Sequence, residues 1–270
     1  GEKHYADAVL VSTGGLSYPA TGSTGDGYQL AKQAGHTVTK LKPSLVPLVA
    51  KNEWCRKAQG LALKNIAVRV FDNTKGRTVY EDFGELLFTH FGLSGPVILS
   101  ASSHMREMES GRYSVIIDLK PALTLQQLDA RLQRDFEKYS NRDFANALGD
   151  LLPKSLISVI IKLSLIPPEE KVHQITRGQW LQLAELLKNL TVTVEDFRPI
   201  EEAIVTSGGV NTKEVSPKTM ESKLVRGLFF AGEVLDVDGY TGGFNLQIAF
   251  STGRLAAKEI LERKGKNPTK

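Results

Sequence analysis

Residues 229–253 read FFAGEVLDVDGYTGGFNLQIAFSTG, and this stretch is the most informative one in the chain. An apolar run ends at Gly232, and a short loop containing Gly239, Gly242 and Gly243 then leads into a helical pattern. Glycine at this density costs stability unless the backbone must turn sharply or another group must approach it closely. The stretch therefore predicts a strand, a tight loop and a helix, and it raises the question of what approaches the loop.

The end of the apolar run is a candidate ligand site. Residues 228–231 are apolar enough for a buried parallel strand, and ligands bind beyond the carboxyl ends of such strands. Glu233 follows directly and can accept hydrogen bonds from sugar or ribityl hydroxyls, while the helix expected near Asn245 points its positive end at the same place. An anion or an electron-rich ring fits this pattern. A tight strand-to-helix connection without a ligand is the alternative.

A similar pattern occurs near the amino terminus. The sequence YADAVLVSTGG predicts a buried strand over residues 8–11, followed by Gly14 and Gly15. A helix is expected within residues 27–36 and another short strand within 36–41, which makes a piece of an α/β layer. The two glycine segments at strand ends are expected to share one sheet and one cofactor cleft, whose ligand stays open between carbohydrate, nucleotide and flavin.

The middle of the chain has a different pattern. Apolar and polar residues alternate through residues 43–120, which predicts antiparallel strands in a barrel-like unit. Residues 121–190 are expected to be helical, with helices at 126–138, 143–152, 154–165 and 179–187. Because α/β patterns flank this region, residues 43–200 are predicted to be an insert in a domain made of residues 1–42 and 201–264. The predicted fold class is α/β, and α+β overall.

Composition narrows the function classes. The 34 basic and 30 acidic residues are interleaved and give a net charge of +4, so no nucleic-acid partner is predicted. The single cysteine, Cys55, excludes an intramolecular disulfide and a Cys-x-x-Cys pair, and fits a reducing compartment. The apolar stretch 156–166 is interrupted by Lys162 and is too short to span a bilayer. The chain is predicted to be cytoplasmic with no membrane partner, and its oligomeric state stays open.

Several motifs that resemble catalytic or metal sites are incomplete. Residues 92–96 read GLSGP, which lacks the glycine spacing of a nucleophile elbow. Residues 22–28 are rich in glycine but have no Gly-Lys-Ser/Thr ending, so they are not a phosphate loop of the Walker type. Residues 236–239 hold half of a calcium loop, and the five histidines are scattered. No metal site is predicted.

Three longer blocks, residues 9–36, 84–99 and 208–253, together carry a resemblance to a known family. They read VLVSTGGLSYPATGSTGDGYQLAKQAGH, GELLFTHFGLSGPVIL and GGVNTKEVSPKTMESKLVRGLFFAGEVLDVDGYTGGFNLQIAFSTG. In this order they resemble the bacterial BaiN/YhiN-like flavoprotein family, which includes aminoacetone oxidase-like members. The resemblance covers nearly the whole chain and is weakest over about residues 122–190.

The resemblance implies an FAD-dependent oxidoreductase that transfers a hydride between a small organic substrate and flavin, with NAD(P)H or oxygen as the other redox partner. It also implies that residues 1–42 and 201–264 form a Rossmann-like FAD-binding domain, and that residues 206–210 lie near the cofactor. The implied cofactor-binding residues come from the two glycine segments and the start of the last helix: Thr13, Gly14, Gly15, Gly232, Glu233, Gly239, Tyr240, Gly242, Gly243, Phe244, Asn245, Leu246 and Gln247.

The sequence departs from the family pattern in one respect. The strand–Gly-x-Gly-x-x-Gly–helix segment that seats the ADP half of FAD is absent, since Gly22, Gly25 and Gly27 have the reversed spacing. The chain is therefore expected to lack the first module of the FAD domain, which makes the domain incomplete.

The catalytic residues stay unassigned, although His90 and Tyr240 are candidates for proton transfer. The alternative function is a non-catalytic binding or scaffold module derived from a flavoprotein, whose basic insert contacts a partner or nucleic acid. Lys154, Lys162 and Lys171 are consistent with this role, although such lysines are more typical of a solvated helix face.

Overall fold

The computed structural model describes residues 2–266, with side chains described as far as Arg263. The chain divides into two compact units. Unit 1 consists of Gly1–Val46 and Arg198–Lys270, and unit 2 of Pro47–Phe197.

The strands and helices of the described residues are numbered in chain order. The strands are β1 (Val9–Val11), β2 (Lys42–Ser44), β3 (Leu48–Ala50), β4 (Ala62–Asp72), β5 (Arg77–Phe88), β6 (Gly92–Ser94), β7 (Tyr113–Asp118), β8 (Leu190–Phe197), β9 (Val205–Ser207) and β10 (Leu228–Phe230). The α-helices are α1 (Asp26–Gln33), α2 (Trp54–Lys57), α3 (Pro96–Ser102), α4 (Leu125–Lys138), α5 (Phe144–Ala147), α6 (Lys154–Ser164), α7 (Arg177–Lys188) and α8 (Phe244–Lys266).

The core of unit 1 is built around a parallel pair of strands. β1 pairs with β10, and Val11 lies opposite Phe230 at the carboxyl ends of both strands. Phe229 and Phe230 are fully buried and pack in one cluster with Val11 and with Tyr28 of α1. β2 and β9 form a second, antiparallel pair in the same unit. The prediction that the first and last apolar runs share a sheet is confirmed by the β1–β10 pairing.

Two local predictions in unit 1 are wrong. The strand expected to be buried over residues 8–11 buries only Val11, because Val9 is 51% exposed and Leu10 is 38% exposed. An apolar run shows that a strand can be buried, whereas the elements packed on each face decide whether it is. The strand expected within residues 36–41 is reduced to one bridge between Val38 and Val210.

Unit 2 contains a closed barrel with the strand order β3-β6-β5-β4-β7-β8. Neighbouring strands are antiparallel, as the alternating pattern predicted. Alternate side chains point into the barrel because successive residues of a strand face opposite sides. The buried interior residues include Val68, Val70, Val115, Ile117, Val192 and Val194. The barrel range predicted from sequence, residues 43–120, omits the closing strand β8, which pairs with both β3 and β7.

The helices α4 to α7 of unit 2 follow β7, and α4 packs against α7. Both helices begin with a capping box, formed by Thr124 with Gln127 and by Thr176 with Gln179. The helix expected at residues 143–152 is wrong beyond its first turn, since only α5 is helical there. Beyond α5, Leu151 N and Leu152 N both donate to Leu148 O at 3.0 Å, so the chain closes an isolated turn around Gly149 and the helix does not continue.

The cap of α4 gives the first testable prediction. The Thr124 hydroxyl accepts from Gln127 N at 3.2 Å, and the Gln127 side chain accepts from Thr124 N at 2.9 Å. Thr124→Ala should lower the free energy of unfolding by about 1 kcal/mol, because two N–H groups at the helix start lose their acceptors or their alignment. Urea unfolding measures this change. Thr124→Ser keeps the hydroxyl and should stay close to the wild type; equal losses in both variants would contradict the capping role.

Candidate functional site

The two glycine segments leave the same edge of the β1–β10 sheet. Val11 and Phe230 are register partners, and Ala231 N donates to Val11 O at 3.1 Å, so the chain emerges from both strands side by side. Gly14 and Gly232 then adopt left-handed backbone conformations, with φ of +75° and +76°, which favour glycine. Residues predicted from opposite ends of the sequence thus meet where a parallel sheet presents its ligand site.

Glu233 is anchored through one of its two carboxylate oxygens. Its Oε1 accepts from Thr206 N at 2.7 Å and from the Ser17 hydroxyl at 3.5 Å. No residue in the described part of the chain donates to Oε2. The side chain is partly buried, so its orientation is fixed while one oxygen stays available to a donor.

A cluster of hydroxyl groups surrounds this anchor. Thr206 is fully buried, and its Oγ1 accepts from Leu16 N at 2.8 Å and lies 3.1 Å from the Ser17 Oγ. The Tyr28 hydroxyl reaches Glu233 O at 3.5 Å. Burial, together with the charge of Glu233, raises the pKa of Tyr28 well above its ordinary value. Tyr28 is therefore a neutral phenol at physiological pH, and acts as a hydrogen-bond donor.

Gly15 is packed so closely that a larger residue does not fit. A Cβ atom built on Gly15 would lie 2.4 Å from Thr206 Oγ1 and 2.6 Å from Glu233 Oε1, closer than real Cβ atoms approach other groups. One built on Gly27 would lie 2.1 Å from Thr13 Oγ1. Gly15 and Gly27 are therefore explained by the side chains that lie directly against their backbone and leave no room for a Cβ atom.

Thr13 carries an unpaired polar atom at the same place. Its Oγ1 is buried and has no hydrogen-bond partner among the described residues. Buried hydroxyls are nearly always paired, so an orphaned one needs an explanation, such as a ligand or ion at that position. Thr13, Gly14, Gly15, Gly232 and Glu233 are thus brought together, as predicted for neighbouring strand ends.

The loop before α8 is closed by a side chain. Asn245 Oδ1 accepts from Gly239 N at 2.8 Å, and Asn245 Nδ2 donates to Gly239 O at 2.9 Å. Gly242 and Gly243 follow in left-handed conformations, with φ of +104° and +92°. The Asn245 side chain is therefore committed to the loop, and what this segment can offer a ligand is its backbone.

The first turn of α8 presents free backbone donors. The first N–H groups of an α-helix have no partner within the helix, and here Gln247 N is the first to bond, to Gly243 O at 3.0 Å. Tyr240, Phe244 and Leu246 are exposed around this turn, while the Gln247 amide donates to Ser251. Among the described residues, no hydrogen bond joins this loop to Thr13, Gly14 or Gly15.

α8 nevertheless packs against the strand-end glycines of β10. Gly232 N donates to the Thr252 hydroxyl at 2.9 Å, and a Cβ on Gly232 would lie 3.7 Å from the Cβ of Ala249. A Cβ atom would be in ordinary van der Waals contact at this distance, so Gly232 is explained by its left-handed backbone conformation and not by the approach of the helix. The helix start predicted near Asn245 is confirmed, since α8 begins at Phe244.

Sequence reasoning missed three residues of this cluster: Ser17, Tyr28 and Thr206. Residues 206–210 were expected near the cofactor, but the sequence did not predict that Thr206 N donates a hydrogen bond to Glu233. Ser17 and Tyr28 carry no local motif, because only the fold brings them to the carboxylate.

A second constellation in unit 1 resembles a nucleophile triad but is structural. His36 is buried, with Nδ1 at 3.1 Å from Glu214 Oε2 and Nε2 at 2.7 Å from the Ser222 hydroxyl. The Ser222 oxygen also accepts from Leu224 N and Val225 N. Ser222 is 6% exposed and fixed by three hydrogen bonds, so it cannot attack a substrate.

The remaining candidates lie elsewhere. His90 belongs to unit 2, where its ring packs edge-on against Phe91. Cys55 is buried in the barrel core, and burial raises the pKa of its thiol to about 12, so it is not a nucleophile at neutral pH. In the described part of the chain, no group of three or more His, Cys, Asp or Glu side chains could hold a metal ion. Across the same residues, no helix has the length and apolarity needed to cross a membrane.

Comparison with known proteins identifies the relatives of this chain. It is 34% identical over 266 residues to the 3-dehydro-bile acid delta(4,6)-reductase of Clostridium scindens, an alignment that covers 97% of this chain and 64% of the relative. It is also 34% identical to the ribosomal RNA dihydrouridine synthases of Escherichia coli, over 258 residues, and Haemophilus influenzae, over 254 residues. Those two alignments cover 96% and 93% of this chain, and 62% and 60% of the relatives. The chain thus spans less than two thirds of the length of these relatives.

A family model matches the centre of the chain. Residues 42–205 match the HI0933-like protein barrel and H2TH domain, a range that includes the whole of unit 2. The resemblance found in the three sequence blocks is confirmed by these matches. The chain therefore belongs to the HI0933-like family.

Proposed function

We propose that this chain is part of a flavin-dependent oxidoreductase and that unit 1 contributes to binding FAD at the carboxyl ends of β1 and β10. One observation carries the proposal: Val11 and Phe230 are register partners, so the segments that begin at Thr13 and Gly232 leave the sheet together. Two glycine-containing strand ends at one sheet edge are typical of a site where a dinucleotide approaches the backbone.

The residues at these two strand ends fit a bound FAD. The orphaned Thr13 Oγ1 offers a hydroxyl that needs a partner, and Glu233 Oε2 can accept from a ribityl or ribose hydroxyl. The free N–H groups at the start of α8 favour an anion or an electron-rich ring edge. Gly15 and Gly27 keep the backbone close enough for these contacts, since no side chain intervenes.

FAD, when bound, supplies the hydride transfer, with NAD(P)H as the proposed electron donor. The residues of this chain bind and orient the group: Glu233 holds a hydroxyl, and the α8 turn holds negative charge. No residue is assigned as the catalytic acid or base.

The names of the relatives support a proposed reaction class. A delta(4,6)-reductase and a dihydrouridine synthase both carry in their names the reduction of a ring double bond. We propose the same class for this chain, with a small ring compound as the substrate. A non-catalytic scaffold role, the alternative, leaves the unpaired Thr13 hydroxyl and the free Glu233 oxygen without a purpose.

The second testable prediction concerns Glu233. Glu233→Gln keeps an oxygen for Thr206 N but removes the charge, and hydrogen bonds to a charged acceptor are worth roughly twice those to a neutral one. We expect the Kd for FAD to rise about tenfold, measured by titration of the full-length protein. Glu201→Gln, at an exposed position of the same unit, is the matched control and should leave the Kd unchanged. Equal Kd values for both variants and the wild type would argue against the role of Glu233.

A further inference from the structure

The helical part of unit 2 contains a pocket that the proposed flavin site does not use. It has a volume of about 490 Å³ and lies between α4, the start of α7 and the short 3-10 turn Val172–Gln174. This volume is within the range of small-molecule sites in proteins. All of its residues belong to unit 2, so its occupancy can be tested independently of FAD binding.

The floor of the pocket is aromatic and rigid. The rings of Phe136 and Trp180 pack edge to face, with centroids 4.4 Å apart and an interplanar angle of 83°. The Trp180 indole N–H donates to Ile175 O at 2.8 Å, which fixes the orientation of the ring. Val172 and Ile175 are buried beside it. A planar ligand therefore meets a preformed apolar surface, and little side-chain entropy is lost on binding.

The rim of the pocket contributes a ring nitrogen of His173 and the carboxylate of Glu137. His173 Nδ1 lies 2.8 Å from Ser140 O, and because a carbonyl only accepts, Nδ1 carries the hydrogen and Nε2 is left for a ligand. The Glu137 carboxylate has no hydrogen-bond or ion-pair partner among the described residues, and it lines the same pocket. The rim of the pocket is thus polar.

The positive charge of Arg177 at the rim is already neutralised by Asp129. Arg177 binds both carboxylate oxygens of Asp129, each at 2.6 Å, and the Gln133 amide donates to the same carboxylate at 3.2 Å. Glu137 then adds a negative charge. A phosphate group is disfavoured at such a rim, and a purely apolar ligand would leave Glu137 and His173 desolvated without partners.

We propose that this pocket binds a heteroaromatic base, the chemical class found in nucleotides and in unpaired RNA bases. The ring stacks on Trp180, its N–H groups donate to Glu137, and a polar edge atom pairs with His173 Nε2. Bases stack favourably on aromatic side chains whatever their sequence, so the floor is the main source of affinity.

Tryptophan fluorescence tests the proposal, because the chain has only two tryptophans and the other, Trp54, can be removed. In a Trp54→Phe variant of the full chain, AMP, GMP, CMP, UMP and a short single-stranded oligonucleotide are titrated separately. We expect saturable quenching of Trp180 by at least one of them and none by ribose 5-phosphate. Binding of the oligonucleotide at least about tenfold more tightly than the mononucleotides identifies RNA as the source of the base, and equal affinity identifies a free nucleotide.

Variants on the rim make the test specific. Glu137→Ala and His173→Ala should each weaken binding about fivefold, since each removes one hydrogen bond to the base. Gln174→Ala, the exposed neighbour of His173, is the matched control and should bind like the parent. Titration calorimetry on the wild-type chain replaces fluorescence if Trp54→Phe does not fold. No saturable binding of any nucleotide or oligonucleotide, or unchanged affinity in both rim variants, would overturn the proposal.

Discussion

Replacing Gly15 by alanine is expected to abolish FAD uptake by the full-length protein. The new Cβ would lie 2.4 Å from Thr206 Oγ1, 2.7 Å from Thr206 Cβ and 2.6 Å from Glu233 Oε1. Thr206 is fully buried and β-branched, so it cannot rotate away. Glu233 would be displaced from Thr206 N, and the two strand ends would move apart. Overpacking of this kind costs about 1–3 kcal/mol, and here the cost is concentrated in the groups proposed to contact the cofactor.

The matched control for this variant is Gly253→Ala. Gly253 lies in α8 of the same unit, its added Cβ would meet no atom within 4 Å, and its backbone is helical. Alanine is a better helix former than glycine by up to about 1 kcal/mol, so this variant should be as stable as the wild type or more so. Both variants are measured by FAD titration and by thermal unfolding. Normal FAD affinity in Gly15→Ala would show that the close packing at this position serves the fold and not the cofactor.

The buried ion pair of the barrel should give the largest effect on stability. Asp72 is 1% exposed, and its Oδ2 accepts from Arg112 Nε at 3.3 Å and from Nη2 at 3.2 Å. Its Oδ1 accepts from Thr74 N and Lys75 N at 3.0 and 3.1 Å. Asp72→Ala leaves the 7% exposed Arg112 without this partner and two N–H groups without an acceptor. Removing one member of a buried pair is strongly destabilising, and we expect the melting temperature to fall by about 10 °C.

The stability that the Asp72–Arg112 pair contributes depends on pH in a defined way. Burial alone would raise the pKa of Asp72, but the Lys75 N–H, the Arg112 guanidinium and the Thr74 N–H outweigh it and hold the pKa below the ordinary value. The pair therefore contributes its full stability above the unfolded-state pKa of about 3.9, and the contribution is lost as the pH falls through the lower folded-state pKa. The melting-temperature difference between Asp72→Ala and the wild type should be constant near neutral pH and shrink in acid.

An exposed pair on the same barrel provides the control. Lys64 and Glu85 lie 3.7 Å apart, with side chains 69% and 53% exposed. Pairs of this kind contribute little, so Glu85→Ala should change the melting temperature by no more than about 2 °C. A loss in Asp72→Ala as small as that in Glu85→Ala would show that the Arg112 pair is not a stabilising element of the barrel.

Helices were predictable where the sequence contains both a helical hydrophobic period and an N-terminal capping residue. The helices expected at residues 126–138 and 179–187 correspond to α4 and α7, which both start with a threonine capping box. The closing strand β8 could not be assigned to the barrel, because its partners β3 and β7 are distant in sequence and alternation reveals a strand but not its neighbours. The exposure of Val9 and Leu10 was unpredictable for the same reason.

The residues of the candidate site also fall into two groups: those that a local sequence pattern predicts and those that only the fold brings together. Gly15, Gly232 and Glu233 carry a local signal, since glycine and a carboxylate after an apolar run indicate a ligand at a strand end. Ser17 and Thr206 are common residues, and only their hydrogen bonds to each other and to Glu233 make them part of the site.

The visible absorption spectrum of the full-length product of the native gene, purified from its own cells, shows whether the protein holds a flavin. We expect the spectrum of an oxidised flavin, and chromatography of the cofactor released on denaturation should identify it as FAD. A colourless protein that takes up no added FAD would rule out FAD binding at the ends of β1 and β10.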